Sequence, residues 1–427
     1  VEVTAMDKSR RILLVDDYAP PYGGAQVANA TLADTMRRRG HCVRRFTSTA
    51  GLATLPVDSP LRPDYACRGT LSRWRTALQA ANPWAAAALR QAIDDFKPDI
   101  VHVKIYETQL SPLILPVLRG VPSVYHAEWY RAVCPTGLKH LPSGAACSAR
   151  AGVVCMSSGC VPIRDWLPLM AQRLLLRRWR GVFRAIIANS SATAQQLGDD
   201  GITGITVVPY GIPEESPRTA LADAPVAVFV GRLVKAKGVD VLLRAFARLH
   251  ARLPYASLDV VGDGVERAPL EAMSHSLGLA KVVRFHGAQL RVQAEMIASK
   301  AWVQVVPSLW AEPFGLVAIE AMMRGAAVVA SASGGLAEIV RNEATGLLVP
   351  PGEVTALANA LHRVLSDRSV ATEWGNTGHD VAMAEYGQEQ FVDHILQVYE
   401  RVLEPSTRQL DDQRIAHARS DVGDRRR

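Results

Sequence analysis

The second half of the chain alternates apolar runs of strand length with helical patterns, and this constrains the fold more than any other feature. Residues 226–230, 258–261, 282–285, 303–306 and 327–330 each read as a buried strand. Between them, 239–253, 266–277 and 316–324 carry the spacing and end signals of helices. Parallel strands need a crossover of a dozen or more residues, and a helix supplies it. Strand–helix alternation at this spacing therefore means a parallel sheet covered by helices, an α/β fold.

The first half alternates less cleanly. Strands are expected at 11–15, from Cys42 onward, and at 100–103, 122–125 and 186–190. Helices are expected at 26–39, 74–96, 110–118 and 168–184, with loops at 49–71 and 134–160. A chain of 427 residues is long enough for two cores. We place the division near Pro213, giving an N-terminal domain over 1–212 and a C-terminal domain over 213–388. Residues 405–427 have little apolar content and many charges, which reads as disorder.

Composition excludes some classes. With 48% hydrophobic and 21% charged residues, no run reaches the length of a membrane span. The first apolar segment, 12–15, is too short for a secretory signal core, and Met6 reads as a candidate start, so a cytoplasmic protein is expected. Charge is uneven: residues 1–210 carry a net +10 and the remainder −3. A basic half suits an anionic membrane surface, an anionic substrate or a plain solvated face. No nucleic-acid module accompanies it. The 168–184 helix sets Leu169, Met170, Leu174, Leu175, Trp179 and Val182 against Arg173, Arg177, Arg178, Arg180 and Arg184. It reads either as a core helix with a basic outer face or as an interfacial helix on anionic lipid, peripheral to the inner face of the membrane.

Two stretches carry chemistry. In Ser308-Leu309-Trp310-Ala311-Glu312-Pro313-Phe314-Gly315-Leu316-Val317, a strand ends, a loop follows and a helix begins. Glu312 lies in the loop and Glu320, seven intervening residues later, one turn inside the helix. A helix N-terminus offers unpaired N–H groups to a phosphate or sugar oxygens, and carboxylates accept hydroxyl hydrogen bonds. An anionic, polyhydroxylic ligand fits, and a nucleotide sugar is both. The second stretch, 231–238, sets Gly231-Arg232 and Lys237-Gly238 around a loop before a helix. Arg232 is a planar fork for phosphate and Lys237 a mobile point charge. In the first half, Gly23-Gly24 precedes a helix and permits close backbone approach.

The Glu, seven residues, Glu motif and the Gly-Arg-Leu-x-x-x-Lys-Gly run, about seventy residues apart, resemble the retaining glycosyltransferases of family 4. The resemblance spans roughly 10–403. It implies a GT-B arrangement, two Rossmann-like parallel-sheet domains facing across a cleft, and a helix over 389–404 returning to the first domain. It implies a hexosyltransferase whose Arg232 and Lys237 bind the donor diphosphate without a catalytic metal. Glu320 would accept ribose hydroxyls and Glu312 the donor sugar's hydroxyls. Phe314, Gly315, Leu316 and Val317 would present backbone N–H groups, and Gly23 and Gly24 would face the cleft. His126 matches a cleft histidine, although Ala127 separates it from the acid Glu128. Trp310 and Leu309 would pack near base or sugar, and Glu338 would be structural. A front-face displacement guided by the leaving phosphate is implied, with a glycan, a lipid-linked molecule or a small molecule as acceptor. Two alternatives stay open: a nucleotide-sugar epimerase of the same architecture, and an inactive nucleotide-sugar-binding subunit.

Four of six cysteines, Cys134, Cys147, Cys155 and Cys160, fall in the 134–160 loop, with twelve, seven and four residues between them. In a cytoplasmic chain clustered thiols favour metal over disulfides. A structural zinc is one reading and unbound structural cysteines the other.

Overall fold

A computed structural model of the chain describes residues 9–20, 23–72, 75–214 and 220–404. The stretch 405–427, expected to be disordered, lies outside them, as does Met6.

Thirteen strands among the described residues form two sheets. The first holds β1 (Arg11–Val15), β2 (Cys42–Ser48), β3 (Tyr65–Cys67), β4 (Ile100–Val103), β5 (Ser123–Ala127), β6 (Ala185–Ala188) and β7 (Ile205–Val207), in the order 3-2-1-4-5-6-7. The second holds β8 (Val226–Val230), β9 (Ser257–Val261), β10 (Val283–Gly287), β11 (Val303–Val306), β12 (Ala327–Ser331) and β13 (Gly346–Val349), in the order 10-9-8-11-12-13. Every pairing within them is parallel. Helices cover both faces, so strands such as β12 are buried along their whole length and read as unbroken apolar runs. In each sheet the strand order reverses once, between β1 and β4 and between β8 and β11. A crevice opens at such a reversal, outside the carboxyl ends of the strands.

The last helix, Gln388–Leu403, leaves the second sheet and packs on the first domain. Arg39 binds Glu389 at 2.7 Å, His102 Nδ1 meets the Tyr399 hydroxyl at 2.6 Å, and Arg184 donates to the Val402 carbonyl at 3.0 Å. Its buried residues Phe391, Val392, Ile395 and Tyr399 join one apolar cluster that runs from Ile12 and Ile100 through Tyr210 to Phe314 and Met322. One core thus ties both sheets together.

Several elements differ from expectation. The helix expected over 74–96 is two, Arg75–Ala80 and Pro83–Phe96. Asn82 caps the second by accepting the Ala85 N–H at 3.1 Å, and Pro83 is suited to a first helical position, so both residues stop one helix and start the next. The 110–118 segment is a tighter 3-10 turn, Pro112–Leu118, because Pro116 removes a donor. The 49–71 loop contains β3.

The basic helix runs Ile163–Trp179 and does not divide as expected. Its buried face is Leu169, Gln172, Arg173 and Leu176, while Leu174 is 69% exposed. Polar groups below it set the rotation. Gln172 donates to the carbonyls of Gln79 and Glu107, at 2.7 and 2.6 Å, and Arg173 pairs with buried Asp200 at 2.8 Å. Arg177 reaches the same carboxylate at 3.0 Å.

Candidate functional site

The two chemical stretches leave adjacent strands. The 231–238 loop follows β8 and the 308–315 loop follows β11, the pair flanking the reversal of the second sheet. The loops touch at Gly238, whose φ is +67° and whose missing Cβ would sit 2.1 Å from the Pro307 carbonyl oxygen. Only glycine fits there without displacing the neighbouring backbone.

This contact brings Lys237 to Glu312. Lys237 Nζ donates to Glu312 Oε1 at 2.5 Å, and the Ser308 hydroxyl donates to the same oxygen at 2.5 Å. Lys237 Nζ also stands 5.9 Å from the centre of the Trp310 ring. Arg232 is exposed, with its guanidinium unpaired among the described residues. Gly315, at φ +123°, precedes the helix Leu316–Met323. The first N–H groups of this helix have no acceptor within it. Glu320 is its fifth residue and half-buried. Gln304, on β11, fixes the helix: it donates to the Val317 carbonyl at 2.6 Å and accepts from Arg324 at 2.8 Å. Sequence reasoning missed Gln304, although one amide inside an apolar strand is a visible signal.

The first domain closes the other side. Gly24 is exposed, and a Cβ there would meet Leu316 Cδ1 at 2.9 Å, so the Gly-Gly loop abuts the start of the Leu316–Met323 helix. Ser190 and Thr193 donate their hydroxyls to the Pro313 carbonyl, Thr193 at 2.9 Å. Glu338, expected to be structural, reaches across the interface. Its carboxylate accepts the Ser191 and Ala192 N–H groups, at 2.9 and 2.7 Å, at the start of the helix Ser191–Asp199. Tyr130 packs edge-on to Trp310, ring centres 6.3 Å apart. Leu309, half-buried, packs in the core of the second domain.

His126 is not at the cleft surface, and this corrects the role its resemblance suggested. It lies inside β5 with no exposure, stacked on His102 at 5.4 Å and on Tyr210 at 5.4 Å. Burial, with Lys104 and His102 nearby, pushes its pKa well below the usual histidine value, so the ring is neutral. Strand alternation turns it toward the last helix rather than the crevice. The polar group past the end of β5 is Glu128, paired with Lys104 at 3.0 Å, both buried. Asn29 binds Asp16 at 2.5 Å and also contacts Lys104. Burial, then Glu128 and Asp17, push the Asp16 carboxyl well above its usual range. These four residues gather where β1, β4 and β5 end; the sequence signal was the position of Asp16, Lys104 and Glu128 directly after each strand, while Asn29 comes from the helix Gly24–Arg38.

The four loop cysteines line one small cavity with Thr136, His140 and Val154. All four are free thiols, Cys155 buried and the rest half-buried. Burial would raise the Cys134 thiol, but the Thr136 hydroxyl and the N–H groups of Lys139, Thr136 and Gly137 bring it below the ordinary value. Among the described residues no three His, Cys, Asp or Glu side chains are closed into a metal-holding arrangement.

Comparison with known proteins agrees with this geometry. The family described as Glycosyltransferase Family 4 matches residues 22–216, and that described as Glycosyl transferases group 1 matches residues 212–381. The lipopolysaccharide core biosynthesis glycosyltransferase LpsE of Rhizobium meliloti (strain 1021) is 33% identical over 177 residues, 42% of this chain and 50% of that one. The chain spans about half the length of such curated relatives. Sucrose-phosphate synthase from Thermosynechococcus elongatus has a similar structure, with a TM-score of 0.71, 25% identity and coverage of 92% of this chain and 99% of that one. The Anabaena protein HepE, crystallised with UDP-glucose, gives 0.66 at 21% identity, covering 92% of this chain and 100% of that one, a likeness of fold.

Proposed function

The chain belongs to the family 4 glycosyltransferases of GT-B fold, and from that premise we propose that it moves a hexose from a nucleoside-diphosphate sugar to an acceptor, with retention at the anomeric carbon and no catalytic metal. The observation that carries this reading is the contact of Lys237 with Glu312 beside the N-terminus of the Leu316–Met323 helix, where the second sheet reverses, with Arg232 exposed on the same loop as Lys237. Lys237 is held by Glu312. A diphosphate draws Lys237 to itself, and Glu312 is then free to accept a hydroxyl of the donor sugar. Arg232 and the helix N–H groups of Leu316 and Val317 meet the remaining phosphate oxygens. Their benefit grows as the leaving diphosphate gains charge, which is where fixed donors lower a barrier. Cations already at the site make a divalent ion unnecessary. Glu320, one turn inside, suits the ribose hydroxyls. The acceptor enters from the first domain, past Gly23 and Gly24.

The acceptor class has one further support. Ile163, Leu167 and Leu174 are 77%, 69% and 69% exposed, and their spacing puts them on one stripe of the Ile163–Trp179 helix, with Arg164 and Arg178 exposed beside it. An apolar stripe with arginines suits peripheral contact with an anionic leaflet and a lipid-linked acceptor. No helix among the described residues is long and apolar enough to cross a membrane.

The test is to incubate the protein with UDP-, GDP- and ADP-hexoses, UDP-glucose first, with a simple alcohol or free sugar as surrogate acceptor, and follow the anomeric protons of the glycoside by NMR. Nucleoside diphosphate release with the donor's anomeric configuration kept in the sugar product is expected. Epimerised sugar would favour the epimerase, and binding without turnover the inactive subunit; either overturns the proposal.

A further inference from the structure

The 134–160 segment has the layout of a small metal-held module. Cys134 starts a tight turn, Cys134-Pro135-Thr136-Gly137, closed by the Gly137 N–H on the Cys134 carbonyl at 3.0 Å, with Gly137 at φ +77°. A miniature antiparallel hairpin follows. His140 bridges Ala146, the Leu141 N–H binds the Ala145 carbonyl at 2.8 Å, and the Cys147 N–H binds the Lys139 carbonyl at 2.9 Å. The short helix Val154–Ser157 then carries Cys155, and the Val161 N–H returns to the Cys155 carbonyl at 2.9 Å, holding Cys160 beside it. Turn, hairpin and helix each deliver cysteine to one place.

That place is the cavity lined by all four cysteines and His140. It offers about 20 Å³ to the centre of a water-sized sphere, room for one such sphere. Thr136 apart, its other walls are apolar: Pro135, Leu141 and Val154. His140 Nε2 is buried without a hydrogen-bond partner. The Cys134 sulfur instead has polar company, the Thr136 hydroxyl at 3.2 Å. One apolar cluster under the segment is small, with Cys155, Val161 and Leu169 as its buried members among the described residues. Four thiols around an ion-sized space are the ligand set that soft, tetrahedral zinc selects.

We propose that Cys134, Cys147, Cys155 and Cys160 bind one structural zinc ion as thiolates, with the buried His140 ring hydrogen-bonding to the cluster. Small side-chain rotations close the sulfurs from the cavity wall onto its centre, and the thiol protons go to solvent. The ion lies outside the transfer chemistry but bears on the cleft. The Cys134 N–H binds the Tyr130 carbonyl at 2.7 Å, and the Tyr130 ring packs on Trp310 beside Lys237. The staple therefore holds the turn that forms one wall of the donor site.

The test needs no activity assay. The full chain, made without a histidine tag in zinc-containing medium and dialysed, is analysed for metals. One zinc per chain is expected, as is a cobalt-substituted form with the visible bands of a tetrahedral ion and near-ultraviolet sulfur-to-cobalt charge transfer. Cys160→Ser should hold zinc more weakly against a chromophoric chelator, and Cys42→Ser, outside the module, should match the wild type. Well under one zinc per chain in wild-type protein offered excess zinc would overturn the proposal, even if Cys160→Ser fails to fold. So would a cobalt spectrum without sulfur charge transfer.

Discussion

In the proposed function Glu320 and Arg232 serve the two ends of the donor, so their removal should have different consequences. Glu320→Ala takes away a charge-assisted acceptor for the ribose, worth roughly 1.5–3 kcal/mol, or about ten- to more than one-hundredfold in donor affinity. Arg232→Ala removes a cation whose benefit peaks with the leaving-group charge, so kcat falls more than KM rises. Steady-state kinetics on both variants check this, and an unchanged kcat in Arg232→Ala would remove the arginine from the mechanism. His126 gives the contrasting case. Its ring is buried and stacked between His102 and Tyr210, so His126→Phe should keep wild-type kcat while shifting the urea midpoint. A large loss of kcat with an unchanged midpoint would restore a catalytic role. The residue-level signals were uneven. The meeting of Glu312 and Lys237 was legible because each motif sets its residue just past a strand end. His126 misled because one residue of register in a strand exchanges cleft for core.

At the scale of elements, the 231–238 and 308–315 loops act as one unit joined at Gly238. Gly238→Ala adds a Cβ 2.1 Å from the Pro307 carbonyl at a left-handed φ, which costs more than about 2 kcal/mol. Thermal unfolding should show the loss, and nucleotide binding should weaken because Lys237 moves with the loop. The interface has its own clasp, the Glu338 carboxylate on the helix Ser191–Asp199. Glu338→Ala should cost about 1–2 kcal/mol and lower kcat/KM without changing donor preference. Equal stability and kcat/KM in this variant would show that the clasp is not used. Strand–helix alternation of the second domain was legible because its strands are buried on both faces. The short strands β3, β7 and β13 were not, since three or four residues carry little periodicity. The Ile163–Trp179 helix was read with the wrong face inward, because Gln172 and Arg173 are buried by partners on distant segments, Gln79, Glu107 and Asp200. Such tertiary pairing leaves no trace in local hydrophobicity.

For the whole molecule, buried carboxyls set the response to pH. Burial raises Glu107 from the usual 4.5 to about 7, against the pull of the Tyr125 hydroxyl. The folded state therefore keeps this proton after the unfolded chain has lost it. The stabilisation is complete below pH 4.5 and is lost as pH rises through about 7, some 3 kcal/mol in total at about 1.36 kcal/mol per unit. Urea midpoints across this window should fall less steeply in Glu107→Gln than in the wild type, and identical slopes would contradict the assignment. The two domains share a core and a clasp. The most direct measurement is a calorimetric titration of UDP, GDP and ADP into wild type, Arg232→Ala and Glu320→Ala, with and without added magnesium or manganese. The account predicts one nucleotide bound per chain by the wild type, with no need of the added ion, and an affinity lowered about tenfold or more in each variant. No binding by the wild type, or wild-type affinity in both variants, would contradict it.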